Sequence, residues 1–567
     1  MPHAVPSDSH EEVDLLVFGA GAAGMTTALV AALEGLSVIL CEKTSMVGGT
    51  TSTSGGTTWI PGTSQSERDG VPDKIEDAQD FLRSVVGSRG GDELRAAFLA
   101  SGRAAVDELE RNSAVRFTAA KAHPDYVGNH PGAAYGGTAL VPDAFDGRLL
   151  GEDFRRVRPP HGVFMGLGGM MVARNEIGAL LKPFSSLANF RMATSILLRY
   201  AADRLKYPRG TRLLMGNALV GQLYYSLRER KVPVLFNSPL IDLLREDGRI
   251  VGAVIDTPEG ARTIRARRGV VLATGGVAWN KALRAQLFPD VVGQRSQAPE
   301  GNTGDGISIA MTSANAYLDD GHDSAALWMP CSSMTKPDGT EAVWPHIILD
   351  RAKPGLIAVG PDGRRFVNES DSYHDFCMGM IRANLPEAWL VVDDRFIHQY
   401  GLGLVLPGGR GLSGLLKDGY LVKAPNLGEL ARKIGVEASG LETCVSRHNG
   451  FATTGIDEEF GRGSSVMNRF NGDPDNQPNP CMRPIEQAPF YALKVRPIDL
   501  AGSAGLRCNE NGQVLDRDSY PISGLYACGN DMTSLFRGTY PGPGTTIGPA
   551  IVFGWRIAKH AATRLTA

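Results

Sequence analysis

The alternation of apolar runs and glycine turns near the amino terminus predicts a strand–helix–strand unit. The apolar run Val13–Phe18 leads into the glycine-rich segment Gly19–Gly24, which is followed by residues of helical periodicity that end at Gly35. A second apolar run, Leu36–Cys41, ends in Glu42. Short apolar runs bounded by glycine are typical of buried strands, and a helix between two strands indicates that they are parallel.

This unit has the residue types that bind a dinucleotide. Gly19 makes a tight turn, Gly21 lets the backbone approach a pyrophosphate, and Gly24 lets the helix pack closely on the strand. The phosphates then lie at the helix N-terminus, where unpaired N–H groups and the helix dipole favour anions. Glu42, which lies 18 residues beyond Gly24, is placed to accept a ribose hydroxyl.

Helical and strand patterns continue along the chain. Residues 75–112 have helical periodicity, which is clearest over Asp92–Glu110, and strand-like apolar runs return between residues 232 and 280. The last of these runs ends in Ala273–Gly276, whereas the region of roughly 317–497 is richer in proline and loops. The pattern therefore predicts an α/β protein.

Segments further along the chain also have the pattern of a ligand site. Thr303–Gly306 opens a predicted helix, and Leu525–Asp531 is a short strand that runs into a polar turn. Tyr540–Ala550 is rich in proline and glycine and opens a terminal helix. Such segments leave free N–H groups that point at a ligand. The chain is therefore predicted to return to the nucleotide site at its end.

Composition narrows the class of protein. Of 567 residues, 43% are hydrophobic and 21% are charged, and the net charge is −3, which indicates a soluble globular protein and argues against nucleic acid as the main partner. The seven cysteines form no CxxC pair, so we expect a reducing compartment, and no metal-ligand cluster is seen. The polar amino terminus lacks an apolar signal segment, and the uncharged run Leu15–Leu33 holds the glycines of the nucleotide turn. We therefore predict a cytoplasmic protein without a membrane span.

Residues 150–231 differ from the rest of the chain in charge. They contain 14 Lys and Arg against 5 Asp and Glu, together with Phe164 and Met170–Met171. Helices are predicted over Ala193–Lys206 and Arg212–Arg230. The segment is either a solvated basic face on ordinary helices or an insertion that contacts a membrane or a partner.

The segment after Glu42 indicates a family. It contains Gly48-Gly49-Thr50-Thr51 and Ser54-Gly55-Gly56, and with the preceding dinucleotide unit it resembles the flavoproteins that include fumarate reductase and the 3-ketosteroid dehydrogenases. The resemblance implies a Rossmann-like FAD-binding domain that is discontinuous, formed by residues 1–316 and 498–567. An α+β catalytic domain, residues 317–497, is implied to be inserted as a cap, and the segment 150–231 looks like an insertion found in longer members.

The resemblance also implies the cofactor and its contacts. FAD is expected to bind without a covalent link, because no histidine lies in the segment 48–56. The implied cofactor-binding residues are Gly19, Gly21, Ala22, Ala23, Gly24, Glu42, Lys43, Gly48, Gly49, Thr50, Thr51, Ser54, Gly55, Gly56, Ala273, Thr274, Gly275, Gly276, Asp305, Gly529, Asn530, Gly544, Thr546 and Ile547.

The carboxyl-terminal motif narrows the resemblance. Tyr540-Pro541-Gly542-Pro543-Gly544, followed by Thr-Thr-Ile-Gly-Pro-Ala, is similar to the 3-ketosteroid Δ1-dehydrogenases and not to fumarate reductase. The similarity implies that the Tyr540 hydroxyl and the Gly544 N–H bind the C3 carbonyl oxygen of a steroid. Tyr373 would remove a proton from C2, Tyr126 would help to ionise Tyr373, and a hydride would pass from C1 to flavin N5. An external electron acceptor, such as a quinone, is implied as well.

Tyr126 and Tyr373 lie in short, loosely spaced motifs. Both also have a structural interpretation, since a loop tyrosine is more often a packing residue than a catalyst. A tyrosine with a pKa near 10 is moreover a poor base at neutral pH, and burial raises its pKa further. The phenolate of Tyr373 therefore needs support. The sequence leaves three sources open: a hydrogen bond from Tyr126, a helix N-terminus, or the polar run Arg364–Ser370.

Three other functions remain open on the sequence. A fumarate-reductase-like enzyme needs cations for two carboxylates, and Arg364, Arg365 and Arg537 are available. A 3-ketosteroid Δ4-(5α)-dehydrogenase would desaturate another bond of the same steroid ring. A flavin-containing binding or sensor protein would have no need of the three tyrosines.

Overall fold

The computed structural model describes residues 11–162, 165–173, 176–335, 339–347 and 350–563. Phe164 lies outside these residues. The strands are β1 (Glu11–Phe18), β2 (Val38–Cys41), β3 (Thr58–Trp59), β4 (Phe117–Ala119), β5 (Ala139–Pro142), β6 (Phe145–Asp146), β7 (Met165–Gly166), β8 (Met170–Met171), β9 (Arg212–Leu213), β10 (Val234–Leu235), β11 (Leu240–Glu246), β12 (Arg249–Thr257), β13 (Gly260–Leu272), β14 (Ala326–Thr335), β15 (Glu341–Pro345), β16 (Leu356–Val359), β17 (Ala388–Asp393), β18 (Leu421–Ala424), β19 (Phe490–Gly502), β20 (Gln513–Leu515) and β21 (Pro521–Ala527).

The helices are α1 (Ala22–Leu33), α2 (Ser64–Arg68), α3 (Ile75–Val86), α4 (Asp92–Asn112), α5 (Ile177–Leu181), α6 (Leu187–Arg204), α7 (Met215–Glu229), α8 (Lys281–Leu287), α9 (Asp305–Ser313), α10 (Tyr373–Arg382), α11 (Asp394–Tyr400), α12 (Leu412–Lys417), α13 (Leu427–Ile434), α14 (Ala438–Thr454), α15 (Val466–Asn471) and α16 (Ile547–Thr563). Short 3₁₀ turns cover Gly49–Thr53 and Gly529–Asp531, among others. No helix in the described ranges is long and apolar enough to cross a membrane.

The first sheet combines strands from both ends of the chain, in the order β10-β2-β1-β13-β12-β11, with β21 also paired to β13 and β20 to β21. The pairs β10–β2, β2–β1, β1–β13 and β13–β21 are parallel, whereas the pairs β11–β12, β12–β13 and β20–β21 are antiparallel. The predicted unit β1–α1–β2 is present, and the carboxyl-terminal helix α16 packs on α1. The predicted Rossmann-like domain, formed by segments from both ends of the chain, is thereby confirmed.

The second sheet lies within residues 326–502. Its order is β15-β14-β19-β17-β16, with β18 also paired to β19, and its strands pair antiparallel. Helix α10 packs on β14, so this sheet carries the element that begins at Tyr373. The long strand β19 runs to Gly502, beyond the domain end predicted at residue 497. The domain boundaries themselves stay predictions.

The insertion 150–231 differs from its predicted elements in two places. Helix α6 begins at Leu187, before the predicted start at Ala193, because Ser186 caps it by accepting the N–H of Asn189. Helix α7 begins only at Met215, because the preceding Arg212–Leu213 forms β9 and pairs with β6.

Candidate active site

A cleft of about 1120 Å³ opens at the carboxyl ends of β1, β2 and β13. Ligands of α/β folds bind at this end of the parallel strands. The lining includes most of the residues predicted to bind the cofactor, namely Gly19, Gly21, Ala22, Ala23, Glu42, Lys43, Gly49, Thr50, Thr51, Ser54, Ala273, Thr274, Gly275, Asp305, Gly529, Asn530, Thr546 and Ile547.

Six predicted glycines do not line the cleft: Gly24, Gly48, Gly55, Gly56, Gly276 and Gly544. Gly24 and Gly544 show why glycine is required close to the cleft although it does not line it. A Cβ on Gly24 would lie 1.9 Å from the carbonyl oxygen of Gly19, so only glycine lets α1 pack against the turn. Gly544 has a φ of +98°, and a Cβ there would lie 2.4 Å from the carbonyl oxygen of Thr57.

The adenine-nucleotide end of the cleft offers both N–H donors and a carboxylate acceptor. Helix α1 begins at Ala22, whose N–H donates to the Oγ1 of Thr51 at 3.1 Å. In the described part of the chain the N–H groups of Ala23 and Gly24 donate to no acceptor, so they are available to a pyrophosphate. Glu42 accepts the N–H of Ala20 at 2.9 Å on one carboxylate oxygen and the N–H of Thr44 at 2.8 Å on the other. The second oxygen also accepts the hydroxyl of Thr44 at 2.8 Å, so it is the first oxygen that retains a lone pair for a ribose hydroxyl.

Several lining residues were not predicted, among them Arg158, Ser238, Leu240, Asn302, Leu500 and Ala501. Asn302 donates to the Oγ1 of Thr50 at 3.2 Å and to the carbonyl oxygen of Gly275 at 3.0 Å. It directly precedes the predicted helix-opening segment Thr303–Gly306, so that motif could have indicated it. Leu500 lies near the end of strand β19, and no local pattern marks which residue of this strand faces a ligand.

A buried carboxylate joins the two ends of the chain at the cleft. Asp531 accepts the N–H of Thr274 at 2.5 Å, the hydroxyl of Thr274 at 2.7 Å and the N–H of Gly276 at 2.8 Å. Burial raises the pKa of Asp531 above its ordinary value. These bonds hold the turn after β21 against the turn after β13.

The three predicted catalytic tyrosines come together next to this cleft. The hydroxyl of Tyr126 donates to that of Tyr373 at 3.4 Å, and the hydroxyl of Tyr373 donates to that of Tyr540 at 2.8 Å. The rings of Tyr126 and Tyr540 are stacked with centroids 5.3 Å apart, and Tyr373 meets both edge-on. All three side chains are buried.

Backbone and side-chain bonds hold Tyr126 and Tyr540 together. The N–H of Tyr126 donates to the carbonyl oxygen of Pro541 at 2.7 Å. The neighbouring carboxylate of Asp125 accepts the indole N–H of Trp59 at 2.8 Å and the hydroxyl of Thr138 at 3.1 Å. Burial raises the pKa of Asp125 to about 6. The proline- and glycine-rich motif thus serves to position Tyr126 as well as Tyr540.

A histidine links the element that carries Tyr373 to the turn that carries Tyr540. The Nδ1 of His374 accepts the N–H of Trp328 at 3.2 Å, so the ring proton is on Nε2, which bonds the backbone of Gly538. Burial lowers the pKa of His374 and keeps it neutral. Its ring centroid lies 5.9 Å from that of Tyr540.

Burial raises the pKa of all three tyrosines: to about 12 for Tyr540, and above the ordinary value for Tyr126 and Tyr373. Two of the three sources considered for the phenolate lie near Tyr373, since the Tyr126 hydroxyl is 3.4 Å away and Tyr373 is the first residue of α10. Without a substrate, however, Tyr126 and Tyr540 both add to the rise in the pKa of Tyr373. The third source, the polar run Arg364–Ser370, is bonded to other residues. Its Arg365 pairs with Glu369 at 2.7 Å and with Asp457 at 2.9 Å.

The side chains that pack around the tyrosines are apolar: Leu327, Met329, Ile347, Met467 and Leu500. Leu500 also lines the cofactor cleft, so the tyrosines and the cleft adjoin. The arginines considered for binding two carboxylates lie elsewhere or are paired. Arg364 is exposed, and Arg537 pairs with Asp319 at 2.6 Å.

Comparison with known proteins places these features in a family. The family described as FAD binding domain matches residues 14–547. The 4-oxocyclohex-2-ene-1-carboxylate 5-dehydrogenase of Sinomonas cyclohexanicum is 37% identical over 99% of this chain and 96% of its own length. The 3-oxosteroid 1-dehydrogenase of Mycolicibacterium smegmatis is 36% identical over 98% of each chain. A solved structure of 3-ketosteroid delta1-dehydrogenase from Sterolibacterium denitrificans, in complex with 1,4-androstadiene-3,17-dione, is 33% identical with a TM-score of 0.88, over 97% of this chain and 99% of that one.

Proposed function

Because the chain belongs to the FAD binding domain family and is an FAD-dependent oxidoreductase, we propose that it is a 3-ketosteroid Δ1-dehydrogenase. The proposed reaction removes a proton from C2 and a hydride from C1 of a 3-ketosteroid and forms a double bond between these atoms. One observation carries the proposal: three buried tyrosine hydroxyls form a hydrogen-bonded row beside the cofactor cleft.

The cleft fits FAD by its donors and its backbone. The first turn of α1 supplies N–H groups for the pyrophosphate, and Glu42 supplies an acceptor for the ribose. Thr546 and Ile547 bring the N-terminus of α16 to the same cleft, where the positive end of the helix dipole favours negative charge. When bound, FAD supplies the hydride acceptor of the reaction.

Tyr540 and Gly544 bind the ketone oxygen in this proposal. The hydroxyl of Tyr540 lies 2.8 Å from that of Tyr373 and carries a proton that it donates to the ketone of a bound substrate. Among the described residues, the N–H of Gly544 donates to no acceptor. Two donors of this kind stabilise the negative charge that develops on the carbonyl oxygen when the neighbouring C–H bond breaks.

Tyr373 accepts the C2 proton in this proposal. A hydrogen bond from Tyr126 and the N-terminus of α10 favour the ionised form of Tyr373. Tyr126 also lines a second cavity, which opens to the surface and contains Asp371 and Asp375. The proton therefore has a route from Tyr373 through Tyr126 to solvent.

The apolar side chains around the tyrosines favour a steroid over a dicarboxylate. Leu327 and Met329 of β14 and Leu500 of β19 contact the tyrosine cluster, and a steroid ring system buries its apolar surface against such residues. Arg365 and Arg537 are held in ion pairs, which argues against a fumarate-reductase-like enzyme.

The proposal includes the partners and the cellular location. Electrons leave through an external acceptor of the quinone class, as the resemblance implies. The enzyme acts in the cytoplasm, and its seven cysteines are buried and free, as suits a reducing compartment.

The relative from Sinomonas cyclohexanicum supports a second candidate function. Its name describes dehydrogenation next to the ketone of a six-membered ring that also carries a carboxylate. The same base and ketone clamp would serve that reaction. The two candidates differ in whether the site also recognises a carboxylate.

An anaerobic reduction experiment tests both candidates. Mixing the yellow enzyme with androst-4-ene-3,17-dione should bleach the flavin, and mass spectrometry should find a product lighter by two hydrogens. With 5α-androstane-3,17-dione, NMR should locate the new double bond between C1 and C2; a bond between C4 and C5 would identify a Δ4-(5α)-dehydrogenase instead. Bleaching by 4-oxocyclohex-2-ene-1-carboxylate alone would favour the second candidate, and no bleaching by any of these ketones would overturn both.

A further inference from the structure

One buried arginine near the three tyrosines has no role in the site as described so far. Arg351 lies in the turn between β15 and β16 and is 2% exposed. Its guanidinium donates five hydrogen bonds, and all five acceptors are backbone carbonyl oxygens. An arginine keeps its charge when it is buried, and a buried charge that contacts no carboxylate is costly. Its presence therefore indicates a role for the charge itself.

Three of the five bonds place the guanidinium of Arg351 at the start of α10. Nη1 donates to the carbonyl oxygen of Glu369 at 2.8 Å, and Nη1 and Nη2 both donate to that of Asp371 at 3.3 Å. The Cζ atom lies 4.8 Å from the ring centroid of Phe376. Asp371 precedes Tyr373 by two residues and Phe376 follows it by three. The charge therefore lies beside the first turn of the helix that carries the base.

The other two bonds of Arg351 hold the loop that packs against the tyrosines. Nε donates to the carbonyl oxygen of His346 at 2.7 Å, and Nη2 donates to that of Ile347 at 3.2 Å. The side chain of Ile347 packs against the cluster of the three tyrosines. Arg351 thus joins two segments that contact the site, the loop after β15 and the start of α10.

The two tyrosines that handle the proton need a nearby positive charge. Burial raises the pKa of Tyr373, and Tyr126 and Tyr540 add to the rise. Burial and Tyr540 also raise the pKa of Tyr126, whereas its hydrogen bond to Tyr373 and the charge of Arg351 lower it. The hydroxyls of Tyr126 and Tyr373 lie 3.4 Å apart, so the two titrate as a pair, and a cation that favours an anion on one favours it on the pair.

Among the described residues, the other titratable groups of α10 and its neighbours do not supply that charge. Burial lowers the pKa of His374 and keeps it neutral, and burial raises the pKa of Cys377 and keeps it a neutral thiol. Asp375 accepts the hydroxyl of Ser372 at 2.7 Å. Burial raises the pKa values of Asp125 and Asp371 to about 6. Above that pH these carboxylates are anions, which disfavour a further negative charge nearby.

Two further acidic groups near Arg351 have partners of their own. The carboxylate of Glu369 pairs with Arg365 at 2.7 Å and with Arg462 at 3.2 Å. The carboxylate of Asp350 lies 2.6 Å from the Nδ1 of His346. The charge of Arg351 is therefore not spent on either group by direct contact, and it remains available to the tyrosines.

We propose that Arg351 is a positioning residue for the base, because its charge favours the ionised form of the Tyr126–Tyr373 pair and its bonds fix the start of α10. Arg351 acts through the tyrosines. The inference rests on the proposed function, since it concerns the same proton transfer. It applies equally to the second candidate function, which uses the same base.

The pH dependence of flavin reduction tests the charge of Arg351. Arg351→Met removes the charge and keeps much of the bulk, and Arg351→Gln keeps an N–H donor for the carbonyl oxygens. In both variants the ascending limb of the anaerobic reduction rate should move to higher pH by about one pH unit. On that limb the rate should fall by about 10-fold, and it should recover on the plateau at higher pH. Arg351→Lys keeps the charge and should keep the limb of the parent.

Arg483 provides the matched control. It is 6% exposed, and its Cζ atom lies 5.7 Å from the ring centroid of Tyr400, so it is also a buried guanidinium over an aromatic ring. Arg483→Met should cost stability without moving the limb. The FAD content and thermal unfolding of each variant are measured first, so that loss of the fold is recognised as such.

Three results would overturn the inference. The first is a rate in the methionine and glutamine variants that falls by one factor at every pH, the plateau included, because a merely structural role predicts this. The second is a lysine variant whose limb moves as far as that of the neutral variants. The third is loss of FAD from both neutral variants with an unchanged limb in the lysine variant, which would assign Arg351 to the fold alone.

The comparison separates this inference from the proposed function. It uses whichever ketone bleaches the flavin of the parent enzyme. If no ketone does so, the proposed function fails before any variant is compared. If the parent is bleached and the limb of the neutral variants does not move, only the role of Arg351 fails.

Discussion

The hydroxyl oxygens of Tyr373 and Tyr540 lie 2.8 Å apart although different sheets carry them. Tyr373 begins α10, which packs on β14 of the second sheet, and Tyr540 precedes α16, which packs on α1 beside the first sheet. If Tyr373 is the base and Tyr540 the ketone clamp, the loss of each hydroxyl should have its own kinetic signature.

Replacing Tyr373 with phenylalanine should abolish the chemistry and spare the fold. The variant keeps the ring and its packing, so it should bind FAD normally. It loses the proton acceptor, and general-base catalysis contributes about 10²–10⁴-fold. Anaerobic stopped-flow reduction and deuterium exchange at C2 should both fall by at least that range. The exposed Tyr520→Phe is the matched control, and rapid C2 exchange in the Tyr373 variant would show that another group is the base.

Replacing Tyr540 with phenylalanine should weaken both turnover and ketone binding. Loss of one donor to a developing oxyanion costs about 10²–10³-fold in turnover. The Gly544 N–H remains as the second donor, so measurable activity should survive. Steady-state kinetics with a 3-ketosteroid should show a lower kcat and a higher KM. If both KM and kcat are unchanged, Tyr540 does not bind the ketone.

Replacing Tyr126 with phenylalanine should have the mildest effect and should act through pH. Tyr126 donates to the oxygen of Tyr373 at 3.4 Å, and such a donor favours the ionised phenol. Without it the pKa of Tyr373 rises, so the ascending limb of the pH–rate profile should move to higher pH. A profile that keeps its position while kcat falls would indicate a purely structural role for Tyr126.

The flavin should be released intact by acid. Among the described residues that line the cleft there is no histidine, which is consistent with the prediction of non-covalent FAD. Trichloroacetic acid precipitation should leave the yellow colour in the supernatant, with the spectrum of free FAD. Colour that stays with the pellet would contradict a non-covalent link.

Buried His448 should make the protein less stable as the pH falls. Its Nε2 donates to the carbonyl oxygen of Arg483 at 3.1 Å, and burial lowers its pKa from 6.5 to about 4. Below pH 6.5 the unfolded chain takes up a proton that the folded chain does not, so the free energy of unfolding falls by about 1.4 kcal/mol per pH unit towards pH 4.

The variant His448→Gln keeps an N–H donor but does not titrate. Its stability relative to the parent should therefore improve by about 2–3 kcal/mol between pH 6.5 and pH 4.5 in urea unfolding. Asp125 and Asp371, whose pKa values burial raises to about 6, oppose the trend in parent and variant alike and cancel in the comparison.

Local sequence patterns predicted the nucleotide half of the molecule well. Gly19, Gly21 and Gly24 have their roles within one strand–turn–helix unit, and Glu42 ends the next strand, so each is specified by its immediate neighbours. The parallel pairing of β21 with β13 could be predicted only from the resemblance, because it joins residues about 255 positions apart.

The remaining site depends on long-range packing that no local pattern specifies. Leu500 lines the cofactor cleft from the antiparallel strand β19, and His374 links Trp328 to Gly538 across three separate segments. The sequence did not show which side of α6 faces outward, for a different reason. Its leucines have helical periodicity whichever side is buried, and only the bonds of Asp203 determine which side that is.

The assignment of Tyr373 to one sheet and of Tyr540 to the other has an evolutionary consequence. In the proposed reaction the base belongs to the second sheet and the FAD cleft to the first, and the two parts meet at the hydroxyls of the three tyrosines. Substitutions at Leu327 or Met329 of β14 can change the shape of ring that reaches the base while the FAD cleft stays intact. New ketone specificities can therefore arise in this fold without rebuilding its redox apparatus.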